Sequence, residues 1–259
     1  MSSLLMFVLF FELNIGILDW NMLRNAYIDS VCSYIVLENI SSTCFMPIHY
    51  FSYLCSMKYK NIIFDLGNVL VKLDEAATLK AFAELGLDHF DHIRENPDTL
   101  ALFQAMGVGR ISNQTFFDGF RKTSSSQASD QQITDAANAM LTYIPDEKKK
   151  RLLELRKAGH RVFLLSNTID LHWQYIKDHL FPMDHYVADD FYEHAFLSQE
   201  MHMKKPDDEI FLTVISETGI NPDETLFIDD LEVNCIAAER NGIHTFQNKE
   251  FNDWMKLDL

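Results

Sequence analysis

The chain is short of basic residues: 22 Lys and Arg stand against 38 Asp and Glu, a formal charge of −16 with a pI near 4.9. A surface of that sign offers no face on which a polyphosphate backbone could condense, which speaks against nucleic acid as a ligand. A long apolar run is also missing. The stretch from Leu4 to Phe11 is broken by Glu12, well short of the roughly 20 residues that a membrane span needs. A secretory signal fits that length somewhat better, but no Lys or Arg precedes the run and no clear small-residue cleavage site follows it. Cysteine is scarce as well. Cys32, Cys44, Cys55 and Cys235 show no C-x-x-C spacing, and three of the four lie in the first 57 residues. Reduced thiols in a cytoplasmic protein are the expectation. What is present, 259 residues with 47% hydrophobic content, suffices for one core of ordinary size plus a smaller lobe.

Four segments carry the chemistry. The run Ile62-Ile63-Phe64 ends in Asp65 and then Leu66-Gly67-Asn68, so that an acid stands at a strand tip. Ser166 and Asn167 close the run Val162 to Leu165, Lys205 precedes Pro206, and Asp229-Asp230 close the run Thr225 to Ile228. Apolar strands alternating with helical segments imply a parallel sheet covered on both faces, an α/β fold, and each of these residues then falls at one edge of it. The expected strands are Arg161 to Leu165, the vicinity of Ala195 to Leu197, Leu226 to Ile228 and Ile243 to Phe246, with helices starting at Lys148, Pro206 and Leu231. Pro206 suits a first helical turn, which puts Lys205 at a helix entrance with its ammonium free to reach the sheet edge.

In sequence and order these segments resemble the haloacid dehalogenase-like hydrolase superfamily over residues 58 to 250. Phe-Asp-Leu-Gly-Asn-Val-Leu, Leu-Ser-Asn-Thr and Lys-Lys-Pro-Asp-Asp-Glu-Ile-Phe look most like the branch of small sugar-phosphate phosphatases that includes α-glucose-1-phosphatase. The phosphatase domain of epoxide hydrolases is a more distant likeness. The resemblance implies a Rossmann-like core formed by 58–74 and 159–259, with 75–158 inserted after the first strand as a helical cap that rocks over the site. A helical subdomain that only packs is the alternative. Helical spacing of Ala76, Leu79, Ala81, Phe82 and Leu85, of Phe116, Phe117 and Phe120, and of Ala136, Ala137, Met140 and Leu141 supports the helices themselves, with Ser124-Ser125-Ser126-Gln127 as a polar loop. Residues 1–57 differ in kind, holding Arg24 as their one basic residue. Because Met57 stands directly before Lys58-Tyr59-Lys60 and the first strand, the expectation is that this apolar extension is not translated and that the native chain starts at Met57.

The four segments together supply what phosphoryl transfer needs, a nucleophile and cations to neutralise the equatorial oxygens. Asp65 would attack phosphorus and form an aspartyl-phosphate that water hydrolyses. Three carboxylates at one sheet edge repel unless a cation joins them, which is the physical case for Mg²⁺. The resemblance implies that Asp65, the Gly67 carbonyl and Asp230 hold the metal, with Asp229 behind them. Ser166 and Asn167 would bind phosphate, and Lys205 would supply a point charge to the phosphoryl group and the nucleophile. Each part has an ordinary explanation too: Asp65 as a turn or cap residue, Ser166 and Asn167 as caps, and Asp230 as the cap of the helix at Leu231. Asn234 could steady the acidic loop.

Phosphatases of the family usually carry a second aspartate where this chain has Gly67. General acid–base help, typically worth about 10²–10⁴ in rate, must then come from elsewhere or be less needed. A sugar 1-phosphate leaves as a hemiacetal oxyanion, so glucose 1-phosphate or a similarly activated ester is the expected substrate. A non-catalytic phosphate-binding protein and a metal-free carbon–halogen hydrolase are the competing functions, the second disfavoured by the clustered acids. His89 and His92 are read as a solvated pair, Trp173 and Tyr175 as packing residues, and Arg94 and Arg110 as surface positions.

Overall fold

A computed structural model describes residues 58–86 and 97–259. The first 57 residues, and with them the Met57 start, Arg24 and three of the cysteines, lie outside the described residues, as do His89, His92 and Arg94.

Short apolar runs become strands because both of their faces are covered. β1 (Asn61–Phe64), β4 (Arg161–Ser166), β5 (His194–Leu197), β6 (Thr225–Asp229) and β7 (His244–Gln247) form one sheet in the order β5-β4-β1-β6-β7. Every pairing is parallel, with Phe64 in register with Leu164 on one side and Ile228 on the other. Successive residues alternate between two cores. Ile62, Phe64, Val162, Leu164, Leu226 and Ile228 join Leu152, Leu155, Phe181 and Trp254 on one face. Ile63, Phe163, Leu165 and Phe227 meet Ile210, Phe211, Val214, Ala237 and Ala238 on the other. The fold is the α/β parallel sheet with helices on both faces that the sequence implies.

Between the first and second long strands stand β2 (Lys72–Leu73), α1 (Glu75–Glu84), α2 (Pro97–Gly107), α3 (Asn113–Ser124), α4 (Asp130–Asn138), β3 (Leu141–Tyr143) and α5 (Asp146–Ala158). The four helices α1 to α4 have a core of their own, built from Phe82, Phe116, Phe117, Phe120, Ile133, Ala136 and Ala137. Three details depart from the sequence expectation. Leu141 does not extend a helix; it pairs with Leu73 in an antiparallel two-stranded ribbon. In α1 the buried positions are Thr78 and Phe82, while Leu79 is exposed, because the Thr78 hydroxyl donates to the carbonyls of Ala136 and Ala137 at 3.0 and 3.2 Å and turns that face inward. And α5, placed by sequence at the end of the helical insertion, packs Leu152 and Leu155 into the core of the sheet.

The remaining helices are α6 (Asp170–Tyr175), α7 (Ser198–Met201), α8 (Asp208–Thr218) and α9 (Glu232–Arg240). Pro206 does not open a helix. Its peptide bond with Lys205 is cis, and α8 begins two residues later with Asp207 as N-cap. Among the described residues no helix is long and apolar enough to cross a membrane.

Candidate active site

All five strands run the same way, so the residues that follow them gather at one edge. Asp65 leaves β1 with its N–H still donating to the Ile228 carbonyl at 2.9 Å, which ties it to the neighbouring strand that delivers Asp229. Between these two acids lies Lys205. Its Nζ donates to Asp65 Oδ1 at 2.7 Å, Asp229 Oδ2 at 2.6 Å and the Leu165 carbonyl at 2.8 Å. The three residues are buried, Asp229 completely. Lys204, beside it, is exposed.

Carboxyl oxygens of Asp65, Asp229 and Asp230 come within 4.8 Å of one another. One ammonium among three carboxylates leaves two negative charges uncompensated when all are ionised. Burial raises the Asp65 pKa to about 6, against the pull of Lys205 and with the push of Asp229. Burial, then Asp229, also raises Asp230. For Lys205, burial works against the ammonium, yet Asp65 and Asp229 hold its pKa above the ordinary lysine value. The donor set is all oxygen, anionic and partly buried, which suits a hard divalent cation such as Mg²⁺.

Asp230 does not cap a helix. The side chain that meets the following backbone is that of Asp229, whose Oδ1 accepts from the Leu231 N–H at 2.9 Å. Asn234 donates to both oxygens of Asp229 at 3.0 and 3.1 Å and so steadies the acidic loop, as its spacing suggested. Asp230 is left half-buried, with an Asn68 amide 3.4 Å from its Oδ2.

Gly67 sits in a tight turn closed by Asn68 N–H to the Val71 carbonyl and by Leu70 and Val71 N–H to the Leu66 carbonyl. A Cβ on Gly67 would lie 3.0 Å from Leu73 Cδ1 and 3.9 Å from Asp65 Oδ2. The space that a side chain would enter therefore borders both an apolar residue and the nucleophile candidate.

Ser166 ends β4 at the same edge and is buried. Asn167 is occupied otherwise than its residue type suggested. Its Oδ1 accepts from the Lys205 N–H and its Nδ2 donates to the Lys205 carbonyl, both at 2.8 Å. The amide thus pins the Lys205 backbone from both sides instead of pointing free toward a ligand. Thr168 is tied in turn to Ser198, whose hydroxyl also donates to the Gly107 carbonyl of α2 at 2.7 Å. Trp173 and Tyr175 pack against the sheet core, and Arg110 is exposed, as expected.

Two positions escape a residue-by-residue reading of the sequence. Asn68, at φ +50°, combines the turn with the contact to Asp230. Asn248 donates to the Asn68 carbonyl at 2.9 Å from beyond the last strand. Gly67-Asn68 is a turn signal that could have drawn attention to Asn68; nothing local marks Asn248.

Comparisons with known proteins place the chain in a family. A family model for haloacid dehalogenase-like hydrolases matches residues 59–242, and the chain belongs to that family. A D-ribitol-5-phosphate phosphatase of Bacteroides thetaiotaomicron is 29% identical over 195 residues, 75% of this chain and 94% of the relative. A HAD family enzyme from the same organism, solved in complex with magnesium and inorganic phosphate, is 38% identical and superposes with a TM-score of 0.69 over 73% of this chain and 93% of its own. A predicted HAD-like family hydrolase of Porphyromonas gingivalis is 30% identical, with a TM-score of 0.70 over 78% of this chain and 100% of its own.

Proposed function

We propose that this protein is a Mg²⁺-dependent phosphatase for a small, hydroxyl-rich phosphate monoester, a sugar or polyol phosphate. Membership of a hydrolase family, together with a relative named as a phosphatase, supports hydrolysis of phosphoric monoesters. The observation that carries the mechanism is the buried ammonium of Lys205 bridging Asp65 and Asp229, with Asp230 completing the acidic cluster.

Asp65 attacks phosphorus as its carboxylate, in line with the leaving oxygen. The bond from phosphorus to that oxygen breaks, the departing alkoxide takes a proton from solvent, and the phosphoryl group rests on Asp65. Water then cleaves the aspartyl-phosphate, releasing inorganic phosphate and restoring the carboxylate. Lys205 holds Asp65 in place and balances its charge, while Asn167 holds Lys205. The Ser166 hydroxyl and the Asn167 main-chain N–H bind phosphoryl oxygens, the Thr168 N–H being taken by Ser198. Asp65, the Gly67 carbonyl and Asp230 hold Mg²⁺, whose contribution is to neutralise charge on the phosphoryl group.

The substrate class rests on two supports. One is the polyol phosphate in the name of the relative. The other is a cavity of about 240 Å³ beside Asn167 and Thr168, bounded by Gln104, His172, Ser198 and Lys204. His172 places Nε2 3.0 Å from the Ala137 carbonyl, so that nitrogen carries the proton and Nδ1 is an acceptor. Burial lowers the His172 pKa to about 4, which keeps the ring neutral. Gly107, Val108 and Ile169 complete the cavity's largely apolar wall, and with Asn167 and Ser198 already bonded within the protein, Lys204, Gln104 and His172 Nδ1 are left to meet the hydroxyls of a small leaving group. A second reading, an anomeric ester such as glucose 1-phosphate, is favoured by Gly67, because a leaving group of low basicity needs least help from an acid. The acidic charge of the chain and its buried Cys235 are in keeping with a cytoplasmic small-molecule enzyme.

Phosphate release is to be measured with and without Mg²⁺ on D-ribitol 5-phosphate, glucose 1-phosphate, glucose 6-phosphate and p-nitrophenyl phosphate, with Asp65→Asn as control. Mg²⁺-dependent turnover of the hydroxylated esters that vanishes in the variant is expected. Preference for glucose 1-phosphate over the polyol ester would select the second reading. No release from any ester, with Mg²⁺ still bound, would overturn the proposal in favour of a non-catalytic phosphate binder.

A further inference from the structure

Lys148 lies in the first turn of α5, and its side chain is fully buried. A lysine at the solvent-facing start of a charged helix would normally reach for water. This one turns inward, where its Nζ donates to the carbonyls of Val69 and Phe251, both at 2.5 Å, and sits 3.1 Å from the centroid of the Phe251 ring. Among the described residues it has no carboxylate partner within salt-bridge distance. A buried lysine head group held by carbonyls and an aromatic face is costly to keep, and here it joins Phe251 to the turn after Asp65.

That turn is a closed unit. The bonds among Leu66, Asn68, Leu70 and Val71 fix its shape, but not its position relative to Asp229 and Asp230. Asp65 N–H on the Ile228 carbonyl and the Asn68 amide on Asp230 tie its near side to the acidic strand, and three outside donors hold its far side. Lys148 and the indole N–H of Trp254, at 3.0 Å, both meet the Val69 carbonyl, and Asn248 meets the Asn68 carbonyl at 2.9 Å. Trp254 is itself seated by its backbone N–H on Asn248 Oδ1 at 3.0 Å and by its ring against Phe64. Asn248 N–H reaches back to the Asp229 carbonyl at 2.9 Å, so the same strap spans from the turn to the acidic strand end.

We propose that Lys148, with Trp254, is a positioning residue for the metal-holding turn: it sets the distance between the Asp65/Gly67 side of the Mg²⁺ site and Asp230. The inference rests on the metal site proposed above, and it concerns residues that touch neither metal nor substrate. The direct test is Mg²⁺ affinity by isothermal titration calorimetry, in wild type, Lys148→Met and Trp254→Phe. Lys148→Met keeps length and burial but removes the donor. Trp254→Phe keeps the edge-on ring contact with Phe64 and removes one N–H, and it serves if Lys148→Met does not fold. Leu152→Ala, a cavity in the same core that leaves all three donors to the turn in place, controls for loss of packing and stability alone.

Outer partners of metal ligands typically matter by about 10- to 100-fold in affinity, and a loss of about tenfold is expected for Lys148→Met and a smaller loss for Trp254→Phe, with Leu152→Ala unchanged. Raising Mg²⁺ to saturation should restore most of kcat in Lys148→Met, the split that separates mispositioned ligands from a damaged nucleophile. Mg²⁺ affinity within about twofold of wild type in both variants, or an equal loss in Leu152→Ala, would overturn the proposal. If wild type itself takes up no Mg²⁺, the reading of the metal site fails and this inference with it.

Discussion

Replacing Lys205 with Met should destabilise the protein far more than the loss of one surface charge would. The ammonium is shared by Asp65 and Asp229, which are 7% and 0% exposed, and a methionine leaves both carboxylates buried without a counter-charge. Removing one partner of a buried ion pair typically costs about 3–5 kcal/mol. For a domain of 150–250 residues each kcal/mol moves Tm by roughly 2–4 °C, so a fall of about 6–20 °C is expected. The sign of the pH dependence follows from the acids. Asp65 already has its pKa raised to about 6 by burial, and without Lys205 it rises further. For Asp65 the variant's added penalty is present above its further-raised pKa and is lost as pH falls from there to about 6, below which the acid is protonated in both folded proteins, so the gap from wild type should narrow as pH falls toward about 6. Added Mg²⁺ should raise the Tm of the variant more than that of wild type, since a cation then meets the less compensated cluster. Thermal unfolding followed by circular dichroism, in chelator and in Mg²⁺ at several pH values, measures all three effects. A Tm within about 2 °C of wild type in chelator at pH 7.5 would refute the reasoning, because it would mean that the carboxylates do not depend on the lysine.

Further consequences can be checked separately. Because Asp65 holds a proton up to about pH 6, Mg²⁺ binding below that pH must displace it; apparent affinity should weaken by up to about tenfold per pH unit there, with proton release seen by calorimetry in buffers of different ionisation enthalpy. Asn167→Ala releases the Lys205 backbone on both sides and, at about 1 kcal/mol for each hydrogen bond, should lower Tm by several degrees and kcat by about tenfold without affecting CD-detected fold. Gly67→Asp combined with Leu73→Ala, which clears the 3.0 Å approach, should raise kcat for alkyl phosphates by about 10² relative to p-nitrophenyl phosphate, whose leaving group needs no acid; equal effects on both would contradict the role assigned to position 67. Burial lowers the Lys148 pKa to about 7, so between that pH and the ordinary lysine range the unfolded chain binds more protons and stability should rise with pH; denaturant titrations of Lys148→Met should show a flatter dependence.

The parallel sheet was legible because its strands are bounded apolar runs whose ends carry chemistry. β1, β4 and β6 could be read from Ile62-Ile63-Phe64, Val162 to Leu165 and Leu226 to Ile228, and a parallel sheet brings their far ends together whatever the helices do. What remained hidden depended on partners distant in sequence. β2 and β3 span two and three residues, too few for any period to show. The buried face of α1 turns on Thr78, a polar residue that only the carbonyls of α4 make suitable for burial. Residue type correctly marked Asn167 as polar and at the sheet edge, but could not tell a ligand contact from a brace on Lys205. Lys148 and Lys149 look like the solvated start of a charged helix, yet both are buried. Lys149 donates to the Leu180 carbonyl at 3.0 Å.

The central position of β1 also governs how the chain must assemble. Asn61 finds its partner Thr225 only 164 residues later, and its other neighbour, β4, is itself a hundred positions away, from Asn61 to Arg161. At a synthesis rate of about 5–20 residues per second, β1 leaves the ribosome roughly 8–33 s before β6 exists to pair with it. For that interval the strand Asn-Ile-Ile-Phe, destined to be covered on both faces and both edges, has neither edge partner. Asp65 emerges with it, and the lysine that is to balance it follows 140 residues behind. No early fragment can therefore assemble the cluster of Asp65, Lys205 and Asp229, and that cluster, once intact, certifies that nearly the whole sheet has closed.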